Sequence, residues 1–439
     1  MVSRLAAFDL GAELARYVDG LGPPERIPVM LLMTLARHCS LAGDQERALR
    51  FLDEVHRADP DFPPGLLARA QVLMYFGRLQ ESARDVERCL RRAPGIAQAH
   101  WLRSRLGMPE AVADDAAQLQ DLLARADGNG QDQALLGFAL HALLDRRGDH
   151  AGAWSALEHA CRAKRQLLAY DPAEARRLAD ALIAMPGGVP SGATVADGAK
   201  VPIFIVGMHR SGTTLLEQLL DRSPQVRGVG ERYDFTSAMR YATDHPCRGV
   251  VDETVVERAG DVDFAEVGRH YLASMAWRLG DEPCFVDKLP SNFLNIGFIC
   301  RALPQARILH MVRDPMETCF SNLRELFSEA NAYSYDQLEL AGHFKQYRQL
   351  MAHWHAAWPG RILDVSYAGL VADPIAQMQR IAGFCGIDWT PAMAAPRREG
   401  QAVATASAVQ VREAVSPRPI AKWMPYAGWL HPLARALGA

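Results

Sequence analysis

The sequence predicts an all-α, internally repetitive domain over residues 1–185, a linker at 186–200, and an α/β domain with a mostly parallel sheet over 201–439. Three observations carry this prediction. Small and apolar residues recur every 34 positions in the first half of the chain. The run MPGGVPSGATVADGAK, Met185 to Lys200, is rich in Gly, Pro and Ala and has no helical period. Beyond it, short apolar runs at 203–206, 285–287, 307–312 and 361–365 alternate with helical stretches. Strands separated by helices imply parallel pairing.

In the helical half, Gly43 and Gly77 lie 34 residues apart, as do Pro60 and Pro94, Ala36 and Ala70, and Leu52 and Val86. That is the period of tetratricopeptide repeats, whose paired helices stack into a solenoid. A looser copy runs from Ala134 to Arg165, where Gly148 and Ala153 reproduce the offset of Gly43 and Ala48. Small residues fall where helices cross and prolines where a unit ends. The apolar stripes read as core.

Composition narrows the function classes. Hydrophobic residues make up 49% of the 439 and charged residues 23%, ordinary for a globular chain able to bury cores. A net charge of −3 offers no bulk attraction for nucleic acid or an anionic membrane. The eight cysteines are scattered without a C-x-x-C pair, so neither zinc nor a disulfide framework is expected. No apolar run approaches the roughly 18–20 residues that span a bilayer, and the N-terminal stretch lacks a signal-peptide core. The expected compartment is the cytoplasm, with no membrane insertion.

The segment PIFIVGMHRSGTTLLEQLL, from Pro202, is the most informative in the chain. Ile203, Phe204, Ile205 and Val206 form a buried-strand pattern, and Thr213 opens an amphipathic helix. Gly207 and Gly212 let the intervening backbone curl so that its N–H groups converge on an oxyanion at a helix N-terminus. The spacing is P-loop-like, but Thr213 stands where an NTPase places its lysine, and the cation is Arg210. An arginine there suits bidentate pairing with a phosphate held in the turn, with Thr213 and Thr214 adding hydroxyls. Further on, the strand Ala306–Val312 runs into Arg313-Asp314-Pro315, and Ser321 follows on the next helix. Arg313 and Ser321 form a second candidate anion grip.

These motifs resemble the sulfotransferases that use 3′-phosphoadenosine 5′-phosphosulfate (PAPS), in particular bacterial tetratricopeptide-repeat sulfotransferases and the tyrosylprotein sulfotransferases. The resemblance covers roughly residues 200–430. It implies that Arg210, Ser211, Gly212, Thr213 and Thr214 bind the 5′-phosphosulfate, and that Arg313 and Ser321 bind the 3′-phosphate. It also implies a general base at Glu231, a lysine beside the transferring group at Lys288, a tyrosine near the adenosine at Tyr367, and a late closing segment. That segment contains Ser407 and Lys422-Trp423. One departure is that Arg232 follows Glu231 where the tyrosylprotein pattern has a second glutamate, so the acceptor contacts should differ.

The implied chemistry is proton abstraction by Glu231 from an acceptor hydroxyl that attacks sulfur in line, with Arg210, Lys288 and loop amides holding the developing charge. Burial is expected to raise the Glu231 pKa towards neutrality. Adenosine 3′,5′-bisphosphate would be the product, and no metal is expected, because neither H-E-x-x-H nor C-x-x-C nor a carboxylate pair at ligand spacing occurs. His209 reads as a donor that positions its neighbours. The acceptor class stays open among peptide tyrosines, sugars and lipids, and the repeats either present a protein or peptide partner or only brace the fold. Residues 333–358, with Tyr335, Tyr347, Trp354 and Trp358, are expected to cap the cleft, although an aromatic stripe of this kind is more often core. Two alternatives remain: a P-loop small-molecule kinase, with Asp287 or Asp314 as the magnesium carboxylate, and a non-catalytic repeat scaffold carrying a nucleotide module.

Overall fold

The structure, a computed structural model, describes residues 10–107, 115–185, 200–327, 329, 331–395, 403–405 and 421–438. The linker expected at 186–200 therefore falls almost wholly outside the described residues.

Up to Ala184 the described chain is helical. Helices Val29–Leu41 and Gln45–Ala58 form one hairpin, and Pro63–Phe76 and Leu79–Arg92 form the next, displaced by 34 residues in the sequence. Gly43, Gly77 and Gly148 each turn the chain with a left-handed backbone, at φ 87°, 75° and 77°, a conformation that favours glycine. The repeated positions are core: Ala36, Ala70, Leu52, Val86 and Ala153 are all buried. Helices Gly130–Arg146 and Asp149-capped His150–Gln166 complete a third hairpin.

Among the described residues after Lys200 there is one sheet of five parallel strands in the order β2-β3-β1-β4-β5. They are β1 Val201–Gly207, β2 Val226–Gly228, β3 Cys284–Asp287, β4 Arg307–Val312 and β5 Ile362–Ser366. The second strand is an addition to the sequence reading; three residues, Val-Arg-Gly, are too few to show a pattern. Central β1 alternates strictly. Phe204 and Val206 join a core shared with helices Phe264–Met275 and Gln337–Ala357, while Ile203 and Ile205 pack on Thr213–Leu220 and Pro374–Cys385. Period-two burial on both faces is what a strand covered by helices on each side requires.

The two regions share a core. Leu135 and Leu157 of the helical region lie in the same cluster as Phe320 and Tyr426. Arg165 grips Glu339 through two nitrogens at 2.7 and 2.9 Å, Arg324 reaches Asp145 at 2.9 Å, and Arg232 donates to the Ala42 carbonyl at 2.6 Å. Trp154 stacks on Trp429 from the C-terminal segment. The aromatic stripe of residues 333–358 is corrected here. Tyr335, Tyr347, Trp354 and Trp358 are buried core residues rather than a cap, and Trp354 packs on Gly297 and donates to the Phe293 carbonyl. No helix among the described residues is long and apolar enough to cross a membrane.

Candidate active site

In an open parallel sheet, ligands bind beyond the carboxyl ends of the strands, where the strand order reverses. Here each strand places one candidate residue just past its end. The loop 208–212 with Arg210 follows β1, Glu231 follows β2, Lys288 follows β3, Arg313 follows β4 and Tyr367 follows β5.

The β1 loop is held tightly. Gly207 (φ 149°) lies so close to β4 that a Cβ would sit 2.8 Å from the Met311 carbonyl. At Gly212 (φ 108°) a Cβ would sit 2.4 Å from the Tyr367 ring. Arg210 is a non-glycine residue in the left-handed region, at φ 66°, strain of a kind that concentrates at functional sites. Ser211 closes the turn by donating to the Met208 carbonyl at 2.7 Å. Thr213 and Thr214 are buried in the first turn of Thr213–Leu220. Thr214 Oγ1 lies 3.4 Å from Thr405 Oγ1, so the late segment passes over the loop just before it leaves the described residues.

The second candidate anion grip lies against this loop. Helix Pro315–Leu323 starts at Asp314, whose side chain accepts from the Glu317 N–H, and carries Ser321 to the loop. Arg210 Nε donates to Ser321 Oγ at 3.3 Å, and Arg313 Nη1 donates to the Arg210 carbonyl at 3.1 Å. The Arg313 guanidinium lies 4.5 Å over the Tyr367 ring and also pairs with Glu317 at 2.5 Å. Asn322 fastens the loop from the same helix, donating to the His209 carbonyl at 2.7 Å.

Glu231 and Lys288 meet across the ends of β2 and β3. Lys288 is fully buried, and its Nζ donates to Glu231 Oε1 at 2.6 Å and lies 3.9 Å from Glu217 Oε2. Glu217 in turn accepts from the Gly230 N–H at 2.7 Å. Glu231 is enclosed by protein yet keeps 33% of its side chain accessible, so it faces a cleft. Its carboxyl is held below the usual carboxylate range. Burial raises it, but the Lys288 charge and hydrogen bond, with His209 and Arg232, outweigh that. The expected rise towards neutrality is therefore corrected: Lys288 overrides desolvation.

The raised carboxyl is Glu217, pushed up to about 7 by burial that Lys288 and Gly230 only partly offset. The folded protein keeps a proton there that the unfolded chain loses near 4.5. The resulting stability is complete below that value and is lost as pH rises to about 7, a fall of about 3 kcal/mol. Glu217→Gln keeps an acceptor for Gly230 and is expected to flatten this slope in urea unfolding measured across that window. A slope unchanged by the substitution contradicts the assignment.

Sequence reasoning missed Glu217, although an acid among the buried Leu216, Leu219 and Leu220 of one short helix was a readable signal. It also missed the contributions of the helical region. Arg105 pairs with Glu325, which lies 3.7 Å from Arg210, and Tyr75 lies close enough to Glu231 to feel its charge. His209 packs edge-on against Phe327 at 5.6 Å and is lowered to about 4, chiefly by burial. Beyond Phe327 a cavity of about 680 Å³ opens between the two regions, lined by Trp101, Gln131, Asp132, Lys164 and Leu326. Lys422 is exposed and makes no hydrogen bond or ion pair with the loop among the described residues, and Ser407 lies outside them.

An uncharacterized protein of Aquifex aeolicus is 29% identical over 339 residues, covering 75% of this chain but 44% of its own length. The protein-tyrosine sulfotransferase A of Caenorhabditis elegans is 28% identical over 203 residues, 43% of this chain and 50% of its own. This chain thus spans half or less of the length of either relative. Among solved structures, the sulfotransferase domain from the Synechococcus PCC 7002 olefin synthase aligns with a TM-score of 0.37 and 18% identity, covering 57% of this chain and 98% of that one. Residues 202–391 match the model of the sulfotransferase family, and this segment carries β2 to β5 and all but the first residue of β1.

Proposed function

We propose that the protein transfers a sulfuryl group from PAPS to an acceptor hydroxyl, with Glu231 as general base. The observation that carries this reading is the delivery of Arg210, Glu231, Lys288, Arg313 and Tyr367 to one edge of the sheet by five successive strand ends. The residues suit the donor's two anionic ends. Arg210, Ser211, Thr213 and Thr214 with the loop amides would hold the 5′-phosphosulfate, and Arg313 with Ser321 the 3′-phosphate. Gly212 and Tyr367 leave no room for a side chain between loop and ring. When bound, the donor supplies an activated sulfuryl group on a phosphate leaving group.

Glu231 receives the acceptor proton on a carboxylate that Lys288 keeps ionised. Lys288 and Arg210 supply fixed positive charge where negative charge develops. The kinase alternative is disfavoured by what its carboxylates already do. Asp287 is fully buried, accepts from Tyr271 at 3.0 Å and is pushed up to about 8 by burial, so it is neutral at pH 7. Asp314 is occupied as a helix cap. The helical hairpins are read as tetratricopeptide repeats that brace the loop through Arg105 and Glu325, in a cytoplasmic protein whose buried thiols stay reduced.

The test incubates the full chain with PAPS and a panel of tyrosine peptides, sugars and hydroxylated lipids, and follows release of adenosine 3′,5′-bisphosphate. Turnover with one acceptor class is expected. Arg313→Ala should weaken bisphosphate binding about 10–100-fold, the worth of a charge-assisted hydrogen bond. Release of ADP from ATP with the same panel, and none from PAPS, would overturn the reading.

A further inference from the structure

Away from the strand ends, three donor atoms from three elements converge on one point. His310 lies on β4 and Asp364 directly opposite it on β5, as register partners. His355 reaches them from the helix Gln337–Ala357. His310 Nδ1 is 2.7 Å from Asp364 Oδ1, and His355 Nε2 is 2.8 Å from the same oxygen. All three ligand atoms lie within 4.8 Å of one another, and among the described residues this is the group of histidine, cysteine and acidic side chains so arranged. The opposite nitrogen of His310, Nε2, is hydrogen-bonded to the Tyr347 hydroxyl. Tyr347 also hydrogen-bonds to the Met208 backbone, at the start of the anion-binding loop.

We propose that His310 Nδ1, His355 Nε2 and a carboxylate oxygen of Asp364 bind one divalent transition-metal ion of the zinc type. Two imidazoles and one carboxylate are a recurrent zinc ligand set, with water completing the tetrahedron. A histidine ligand whose second nitrogen is fixed by a hydrogen bond is the usual companion of such a site, and Tyr347 fills that place. The present spacings are those of hydrogen bonds, in which each imidazole donates to the shared oxygen. Ligands about 2.0–2.1 Å from a tetrahedral ion stand about 3.3 Å apart, so binding requires an opening of roughly half an ångström. The geometry allows it, because the His355 and Asp364 side chains are 37% and 53% exposed and the His310 ring is anchored. Each imidazole would bind the ion through the nitrogen that now faces Asp364 and carry its proton on the opposite nitrogen, from which His310 Nε2–H donates to the Tyr347 oxygen. An ion here would clamp β4 and β5 to the helix that carries Tyr347.

The site has no sequence signature, since its ligands are separated by 45 and 9 residues on different elements. It is tested on the full, tag-free chain after chelator treatment, by titration with Co²⁺ followed by Zn²⁺. One Co²⁺ per chain is expected, with the visible absorption of a tetrahedral complex that Zn²⁺ abolishes. Asp364→Asn and His355→Ala, both at accessible positions, should each remove this absorption. Tyr347→Phe should weaken binding about 10–100-fold while the spectrum is kept. Absence of stoichiometric uptake, or uptake that survives both ligand substitutions, would overturn the proposal.

Discussion

Replacing Glu231 with alanine is expected to lower turnover about 10²–10⁴-fold, the usual worth of a general base, while adenosine 3′,5′-bisphosphate binds as before. The separation follows from the layout. Glu231 sits past β2 and pairs with Lys288, whereas the proposed anion grip comprises the β1 loop, Arg313 and Ser321. Loss of the carboxylate does not strand the lysine, because Glu217 Oε2 is 3.9 Å from the same Nζ. Bisphosphate affinity measured by calorimetry beside turnover distinguishes the roles. An active Glu231→Ala enzyme removes the base assignment, and a variant that no longer binds bisphosphate removes the division of labour. The pH profile gives a second reading. Because Glu231 is held below the ordinary carboxylate range, its ionised form persists through mildly acidic conditions. The acid limb of kcat/KM should therefore lie below that range.

Lys288→Ala should be the most damaging single change, because it acts on both stability and chemistry. The ammonium is the buried counter-ion of Glu231, and its removal leaves that carboxylate uncompensated. Breaking a buried pair in this way costs about 3–5 kcal/mol, to be read as a lower urea midpoint. Turnover should fall at least about 10²-fold as fixed positive charge is lost beside the reacting group. The residual activity carries the diagnostic. Without Lys288, burial acts on Glu231 largely unopposed and its pKa rises, so the acid limb of kcat/KM should move to higher pH than in the wild type. A variant that loses activity without that displacement would mean that Lys288 does not set the ionisation of Glu231.

Much of this architecture was legible because buried parallel strands are nearly continuous apolar runs. The runs at 203–206, 285–287, 307–312 and 361–365 lie within two residues of β1, β3, β4 and β5. The loop was legible for a related reason, since Gly207 and Gly212 stand where the backbone takes positive φ. Strand β2 was not, because three residues carry no period. The electrostatics of the site were not legible either. Burial of Glu231 was foreseeable, but Lys288 meets it from 57 positions away, and that contact reverses the sign of the shift. The link from Arg105 to Glu325 and on to Arg210 spans 220 residues between its first two members and depends on how the helical region docks. The aromatic stripe at 333–358 shows the opposite error: its spacing was read as a cleft cover, and packing on Gly297 and Phe293 made it core.

A crystal structure of the full chain with adenosine 3′,5′-bisphosphate tests the central claim most directly. The account predicts the 5′-phosphate on the amides of residues 210–214 and the 3′-phosphate between Arg313 and Ser321, with the Glu231–Lys288 pair facing the 5′ end. Bisphosphate bound elsewhere, or bound with Arg313 and Ser321 out of reach of either phosphate, would contradict it.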